Sequence, residues 1–252
     1  MILPLADILQ PLEDAAESVL NFFHDNVGLT WGTSIIALTV VVRALLVPLT
    51  YRQIKGMRAL QALQPQLKEL QEKYKNDRQR MQQEMMRFYQ QNKVNPLASC
   101  LPLLLQLPIF FALFRLLRGD SFEQDVESSG GASWLFIDSV IQKPQGAETV
   151  ILILLFGSSM VLSTLVTMRS SPTAGGAQQY VLVGAFALMG LFFVPTFPAG
   201  LSLYWITTNV WTIGQTYAAA KLIPPPHVET PEERAAAKPP PPPPRKKKKK
   251  RR

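Results

Sequence analysis

Apolar residues along this chain fall into blocks of about 20, separated by polar stretches. An α-helix of that length crosses the ~30 Å hydrocarbon layer of a bilayer. The pattern therefore predicts an all-α, polytopic membrane protein with five transmembrane helices. We place these at residues 31–51, 96–117, 149–168, 178–195 and 200–220.

The polar segments predict the rest of the organisation. Residues 1–30 place apolar side chains at helical spacing opposite acidic ones, which is typical of an amphipathic helix on the outer face. Residues 52–95 carry two short apolar stripes interrupted just before Asp77. This indicates a cytoplasmic helical hairpin whose second helix is capped by Asp77. The remaining segments are an extracytoplasmic loop, a cytoplasmic loop and a disordered, Pro-rich, polybasic cytoplasmic tail, predicted at residues 118–148, 169–177 and 221–252.

Charge is distributed unevenly and predicts the orientation. Residues 1–30 carry five acids and no Lys or Arg, and residues 118–148 carry six acids against two bases. Residues 51–95 carry ten bases against four acids, and the tail carries eleven against three. Because basic segments stay on the cytoplasmic side, we expect the N-terminus outside and the C-terminus inside. The N-terminal segment shows no secretory signal or transit peptide, so a bacterial plasma membrane is the expected location.

One cation lies inside a predicted span. Arg43 falls within residues 31–51, where a charge at membrane depth costs roughly 2.5–3.5 kcal/mol. Two interpretations remain open: the side chain reaches the nearer interface, or it faces a wet, positively charged cavity open to the cytoplasm. The last span also contains several polar side chains. Polar side chains inside a bilayer generally face other helices or a cavity. Those of the last span are Thr207, Thr208, Asn209, Thr212, Gln215 and Thr216.

The sequence offers little for metal or covalent chemistry. It has one Cys and two well-separated His, so we predict no metal site, no disulfide and no cofactor. The serines of the third span have no His, Lys or acidic partner within a span, which argues against an intramembrane enzyme. A small transporter typically has internal repeats, and neither repeats nor ion-coupling acids are found in the spans. No nucleotide-binding motif is present.

Three segments carry a resemblance to a known family. They are TVVVRALLVPLT, the stretch LQPQLKELQEKYKNDRQRMQQEMMRFYQQNKVNPLASCLPLLLQLPIFFALFRLL, and FPAGLSLYWITTN. Together they resemble the YidC/Oxa1/Alb3 membrane protein insertases in their short, five-span bacterial form, and they are similar to actinobacterial members. The match covers roughly residues 29–222.

The resemblance implies a helical bundle that encloses a hydrophilic groove, open to lipid and cytoplasm and closed outside. In this groove Arg43 would be the positive charge. The match also implies groove positions for Thr39, Gln179 and Trp205, and Tyr204 is included because it lies beside Trp205. Gln106 and Asn209 are added on physical grounds alone, because each is a polar side chain within a predicted span.

The implied function is that of an insertase and chaperone, which is not an enzyme. It would receive hydrophobic segments of nascent membrane proteins in the groove and release them into the bilayer, alone or with the Sec translocon. Implied partners also include the ribosome, the signal recognition particle pathway and anionic lipids, but not DNA. A basic block ends the chain and suits ribosomal RNA or anionic lipid equally. It comprises Arg245, Lys246, Lys247, Lys248, Lys249, Lys250, Arg251 and Arg252.

Overall fold

The computed structural model describes residues 3–92, 94–95, 101–170 and 177–223. Within these ranges the regular secondary structure is helical, apart from a single antiparallel bridge between Trp134 and Ile137. The all-α prediction is therefore confirmed. The α-helices are α1 (Leu3–Asn21), α2 (Trp31–Leu45), α3 (Val47–Ala62), α4 (Gln64–Lys73), α5 (Arg78–Gln91), α6 (Leu101–Leu116), α7 (Asp120–Ser128), α8 (Gly146–Ser170), α9 (Ala177–Thr196) and α10 (Ala199–Leu222).

The N-terminal helix α1 packs against α6 and α2. Leu20 is fully buried, and Ala16 and Val19 lie against the hydrophobic core. Glu13 forms an ion pair with Arg115 at the far end of α6, with 2.9 Å between Oε1 and Nε. Apolar burial and an ion pair thus both hold α1 against α6. A π-helical turn at Phe22–Asn26 follows.

The first predicted span is interrupted by a bend. α2 ends at Leu45, and α3 continues at an angle of 60°. Pro48, in the first turn of α3, explains the break, because proline has no N–H to continue the helix and its ring clashes with the carbonyl four residues earlier. The helix then runs on to Ala62, well into the segment assigned to the hairpin.

The predicted hairpin contains α4 and α5, which pack against each other. Asp77 Oδ1 accepts a hydrogen bond of 3.0 Å from the backbone N–H of Arg80. This confirms Asp77 as the cap of α5. The first apolar stripe is buried at Leu60, Leu63 and Leu67.

The N-terminal end of α10 is tightly packed. Gly200 is required there, because a Cβ would lie 2.8 Å from both Ile35 Cδ1 and the Val140 carbonyl oxygen. The backbone N–H groups of Ala199 and Gly200 donate hydrogen bonds of 2.8 and 2.7 Å to the carbonyls of Gln142 and Val140. These bonds attach the outer loop to α10, which itself packs against α8 and α2.

The predicted extracytoplasmic loop contains a helix, α7, that was not assigned from the sequence. Phe122 and Val126, one turn apart on α7, are fully buried. Further along, Trp134 Nε1 donates a hydrogen bond of 3.0 Å to Thr33 Oγ1 at the start of α2. The loop therefore packs over this end of the bundle instead of projecting away from it.

Among the described residues, one helix is both long and apolar enough to cross a membrane, over Gly146–Met168 of α8. α2 and α3 meet the same criterion only together, as a bent pair. Shorter apolar stretches lie at Leu104–Leu116 and Val183–Thr196. The five-span organisation stays a prediction, and residues 96–100 at the start of its second span lie outside the described residues.

Candidate functional site

Three helices meet around Gln106. Arg43, three residues from the start of the bend, donates a hydrogen bond of 3.1 Å from Nη2 to Gln106 Oε1. Gln106 Nε2 in turn donates to the hydroxyl of Tyr204. Tyr204 is 2% exposed, whereas Arg43 and Gln106 are half-buried. One amide side chain of α6 thus links a cation of α2 to a buried phenol of α10.

Arg43 forms no ion pair with an acid among the described residues. Its partner Gln106 is neutral, and in the described part of the chain the ion pairs are made by other residues. A guanidinium has five N–H donors, so most of its capacity is open to another acceptor. The arrangement is therefore suited to attract an anionic group at this depth of the bundle.

A row of polar side chains continues along one face of α10. Tyr204, Thr208, Trp211 and Gln215 follow one another at spacings of four, three and four residues, which places them on one helix face. Gln215 Nε2 donates to Thr50 Oγ1 on α3, and Trp211 Nε1 donates to Gln215 Oε1 over 3.1 Å. This polar row runs from the Arg43 network toward the C-terminal end of α10. Gln215 was identified as polar from the sequence, whereas Thr50, which lies just before the predicted end of its span, was not.

Thr39 lies one turn before Arg43 on the same face of α2. It is fully buried, and its hydroxyl donates a hydrogen bond of 2.7 Å to the Ile35 carbonyl oxygen. This bond stays within the helix, so Thr39 is a buried side chain that does not hydrogen-bond to another helix through this contact. Its role as a groove residue stays a prediction.

Trp205 and Asn209 lie apart from the Arg43 network. The Trp205 ring packs in an aromatic cluster, 5.4 Å from the Phe193 ring and 5.8 Å from that of Phe110. Asn209 is buried against α8, where its Nδ2 donates a hydrogen bond of 3.0 Å to Ser159 Oγ. Both side chains therefore join helices of the bundle, and their groove assignment stays a prediction.

Other predicted site residues fall outside what the structure describes. The backbone of Gln179 lies in α9, but its side chain is outside the described residues. The basic block at residues 245–252 is also outside them. Within the described ranges, no group of three His, Cys, Asp or Glu side chains is arranged to hold a metal ion.

An apolar cavity of about 400 Å³ lies beside the Arg43 network. It is bounded by α1, α2 and α6, and Tyr204 forms part of its wall. Its ends are marked by Leu38 on α2 and Leu46 just after α2, and by Leu113 and Leu105 on α6. The polar network and the apolar cavity thus share the gap between α2 and α6.

Comparison with known proteins matches most of the chain to one family. The family model described as 60Kd inner membrane protein covers residues 22–225. A membrane protein insertase YidC from Streptomyces avermitilis is 36% identical over 232 residues, 81% of this chain and 54% of that protein. A membrane protein insertase YidC from Helicobacter pylori is 38% identical over 205 residues, 81% of this chain and 35% of that protein.

A solved structure agrees with these relatives. The crystal structure of an active YidC insertase with its first transmembrane domain resolved aligns with a TM-score of 0.63 and 26% identity, over 81% of this chain and 46% of that chain. The chain thus spans only about a third to a half of the length of these curated relatives. The matched region nevertheless includes every described helix from α2 to α10. The chain therefore belongs to the 60Kd inner membrane protein family, the YidC/Oxa1/Alb3 family of membrane protein insertases.

Proposed function

We propose that this chain is a membrane protein insertase that receives hydrophobic segments of nascent membrane proteins and releases them into the bilayer. The observation that supports this most strongly is the Arg43 network. Arg43 is a cation within a membrane protein, held by the neutral amide of Gln106 and not neutralised by an acid in the described part of the chain. A charged group at membrane depth is energetically unfavourable unless it faces protein or water.

The proposed groove lies along the polar row of α10 and is open to the cytoplasm. Water in this space shortens the dry path that a polar terminus or loop of a client must cross. Arg43 attracts a short acidic segment of the client, while Gln106 and Tyr204 hold the guanidinium in place. The outer loop, attached to α10 through Gly200, closes the far side.

Release into lipid is then driven by the client itself. The free energy of its apolar segment falls when the segment moves from the polar groove into the hydrocarbon. For each charge moved across the membrane, the potential contributes about 2.3 kcal/mol per 100 mV. The chain needs no nucleotide for this step.

We place its N-terminus outside and its C-terminus in the cytoplasm, where the basic residues 245–252 contact the ribosome or anionic lipid. The Sec translocon and the signal recognition particle pathway supply some clients.

Depletion of the native insertase in a bacterium tests this activity. The intact chain is expected to restore membrane integration of a small protein with an acidic translocated tail. Arg43→Ala is expected to lose this rescue, while Arg52→Ala, which removes an exposed arginine nearby, retains it. Failure of the intact chain, although folded in the membrane, would contradict the proposal. Equal rescue by the intact chain and Arg43→Ala would keep the insertase but remove Arg43 from its mechanism.

A further inference from the structure

The predicted extracytoplasmic loop contains a tight turn that exposes two apolar side chains. Trp134 and Ile137 exchange backbone hydrogen bonds of 2.8 Å in both directions, so Leu135 and Phe136 form the two-residue turn between them. Leu135 is 82% exposed and Phe136 is 37% exposed. Ile137 belongs to the hydrophobic core, and Trp134 packs against that core. The turn therefore has a fixed base and an apolar end, which we call the Leu135–Phe136 tip.

The backbone at Leu135 does not favour leucine. Its φ is 51°, in the left-handed region where a Cβ is sterically unfavourable and Gly, Asn or Asp is the usual residue. The leucine also leaves most of its apolar surface outside the protein. Burial within the chain offsets neither feature. An unfavourable conformation that is kept at an exposed apolar residue favours a contact with something outside the chain.

The base of the turn fixes its depth in the membrane. On one side, Trp134 Nε1 donates a hydrogen bond of 3.0 Å to Thr33 Oγ1. On the other side, the backbone N–H of Asp138 donates one of 3.3 Å to Glu148 Oε2. Thr33 is the third residue of α2 and Glu148 is the third residue of α8, so each lies about 3 Å along the axis from the start of its helix. The base is therefore level with the first turns of both helices.

That level is the boundary between lipid and water. The stretch Gly146–Met168 of α8 is long and apolar enough to cross a membrane. Its exposed apolar side chains begin two residues after Glu148, with Val150 at 57% exposure. Apolar side chains exposed at this depth insert favourably between headgroups and acyl chains. A stable protein partner would bury roughly 800 Å² on each side, which is more than two side chains present.

We propose that the Leu135–Phe136 tip inserts into the lipid leaflet at this end of the bundle and anchors the loop to the membrane surface. The proposed orientation of the chain makes this the outer leaflet. Burial of Leu135 in lipid offsets both its exposure and its backbone conformation. The anchor is distant from the Arg43 network, because Arg43 lies ten residues after Thr33 on α2, or about 15 Å. It therefore does not depend on client binding.

Nitroxide accessibility of the full chain in phosphatidylcholine vesicles tests the insertion. Cys100, the one cysteine of the chain, is replaced by alanine, and the label is attached through Leu135→Cys. Collisions with oxygen, which concentrates in hydrocarbon, are compared with collisions with a nickel chelate, which stays in water. Leu154→Cys, at an exposed apolar position of α8, gives the lipid value, and Glu127→Cys, exposed on α7, gives the water value. The oxygen-to-nickel ratio at residue 135 is expected to lie closer to the lipid value.

A second label and a charge substitution show whether the tip itself inserts. Phe136→Cys is expected to give the same result, and it decides the test if Leu135→Cys does not fold. Phe136→Asp beside the label at residue 135 is expected to lower the ratio toward the water value, because a carboxylate is unfavourable in the bilayer. Gln124→Asp adds the same charge at an exposed position of α7 and is expected to leave the ratio unchanged.

Two results would overturn the proposal. One is a ratio at the water value for the labels at both tip positions. The other is low accessibility to both oxygen and the nickel chelate, which would mean that the tip packs against protein.

Discussion

Arg43 and Gln106, 63 positions apart in the chain, are joined by a hydrogen bond of 3.1 Å. The bond places the positive charge of α2 against the neutral amide of α6, which is itself bonded to Tyr204. A carboxylate in place of this amide would form an ion pair and cancel the charge. The choice of glutamine therefore orients the guanidinium and leaves its charge available, which is what the proposed groove requires.

Gln106→Glu is the sharpest test of this relationship. The new carboxylate would lie within ion-pair distance of Arg43 and neutralise it, with little change in side-chain size. We expect insertion of clients with acidic translocated segments to fall to the level of Arg43→Ala, while clients with uncharged segments are inserted as before. Protease protection of the translocated segment measures the insertion of both kinds of client.

The matched control is Gln124→Glu, because it makes the same change at an exposed position of α7. It is expected to leave both kinds of client unaffected. Full insertion of acidic clients by Gln106→Glu would show that a free charge at Arg43 is unnecessary.

Tyr204→Phe removes the hydroxyl that accepts the hydrogen bond of Gln106. A part-buried amide N–H then loses its partner, which costs about 1 kcal/mol. We expect a lower midpoint of thermal unfolding, followed by circular dichroism in detergent. Tyr217→Phe is the control, since Tyr217 is 61% exposed and its hydroxyl is not needed for packing. Equal midpoints for the two variants would mean that the Gln106–Tyr204 bond does not hold the bundle together.

Local features of this fold could be predicted from the sequence, and contacts between distant segments could not. The cap at Asp77 follows from its position before an apolar stripe, and it was predicted. The 60° bend before Pro48 and the continuation of the helix to Ala62 depend on how the next segment packs. α7 was missed because its two buried residues, Phe122 and Val126, give too short a stripe within an acidic loop.

The residues of the candidate site could be predicted from the sequence, but the contacts between them could not. Arg43, Gln106 and Tyr204 were each chosen from the sequence, either by their polarity within a span or by the family resemblance. That these three touch depends on the packing of α2, α6 and α10, which no local pattern encodes. The same packing turns Trp205 and Asn209 toward the aromatic cluster and α8.

Gly200→Ala tests the tight contact at the outer end of α10. The added methyl would lie 2.8 Å from Ile35 Cδ1 and from the Val140 carbonyl oxygen. Overpacking of this kind costs roughly 1–3 kcal/mol, so the unfolding midpoint should fall clearly. Gly214→Ala in the same helix has open space around the new methyl and should stabilise by roughly 0.5–1 kcal/mol, the helix preference of alanine over glycine. A Gly200→Ala variant as stable as Gly214→Ala would be inconsistent with the packing described here.

The stability of the chain should depend on pH through Glu17. Partial burial, together with repulsion from Asp125 and Asp14, raises the pKa of the Glu17 carboxyl above its ordinary value of 4.5. Because the folded state binds this proton more tightly than the unfolded state, the free energy of unfolding rises as the pH falls through the raised pKa toward 4.5.

Glu17→Gln should therefore be more stable than the intact chain at neutral pH and should flatten the pH dependence in that window. Thermal unfolding across the acidic range measures this. Glu127→Gln, at an exposed position of α7, is the control and should keep the pH dependence of the intact chain. A Glu17→Gln variant that loses stability at neutral pH would contradict this sign.

The most direct test of the central claim is insertion into vesicles that contain only the purified chain. A client with an acidic translocated tail and a matched client with a neutral tail are compared by protease protection. The intact chain and Arg43→Lys are predicted to insert both clients. Arg43→Ala is predicted to insert the acidic client at least about tenfold less, the factor that 1.4 kcal/mol gives, and the neutral client equally well. Equal insertion of both clients by Arg43→Ala would contradict the proposed role of the charge.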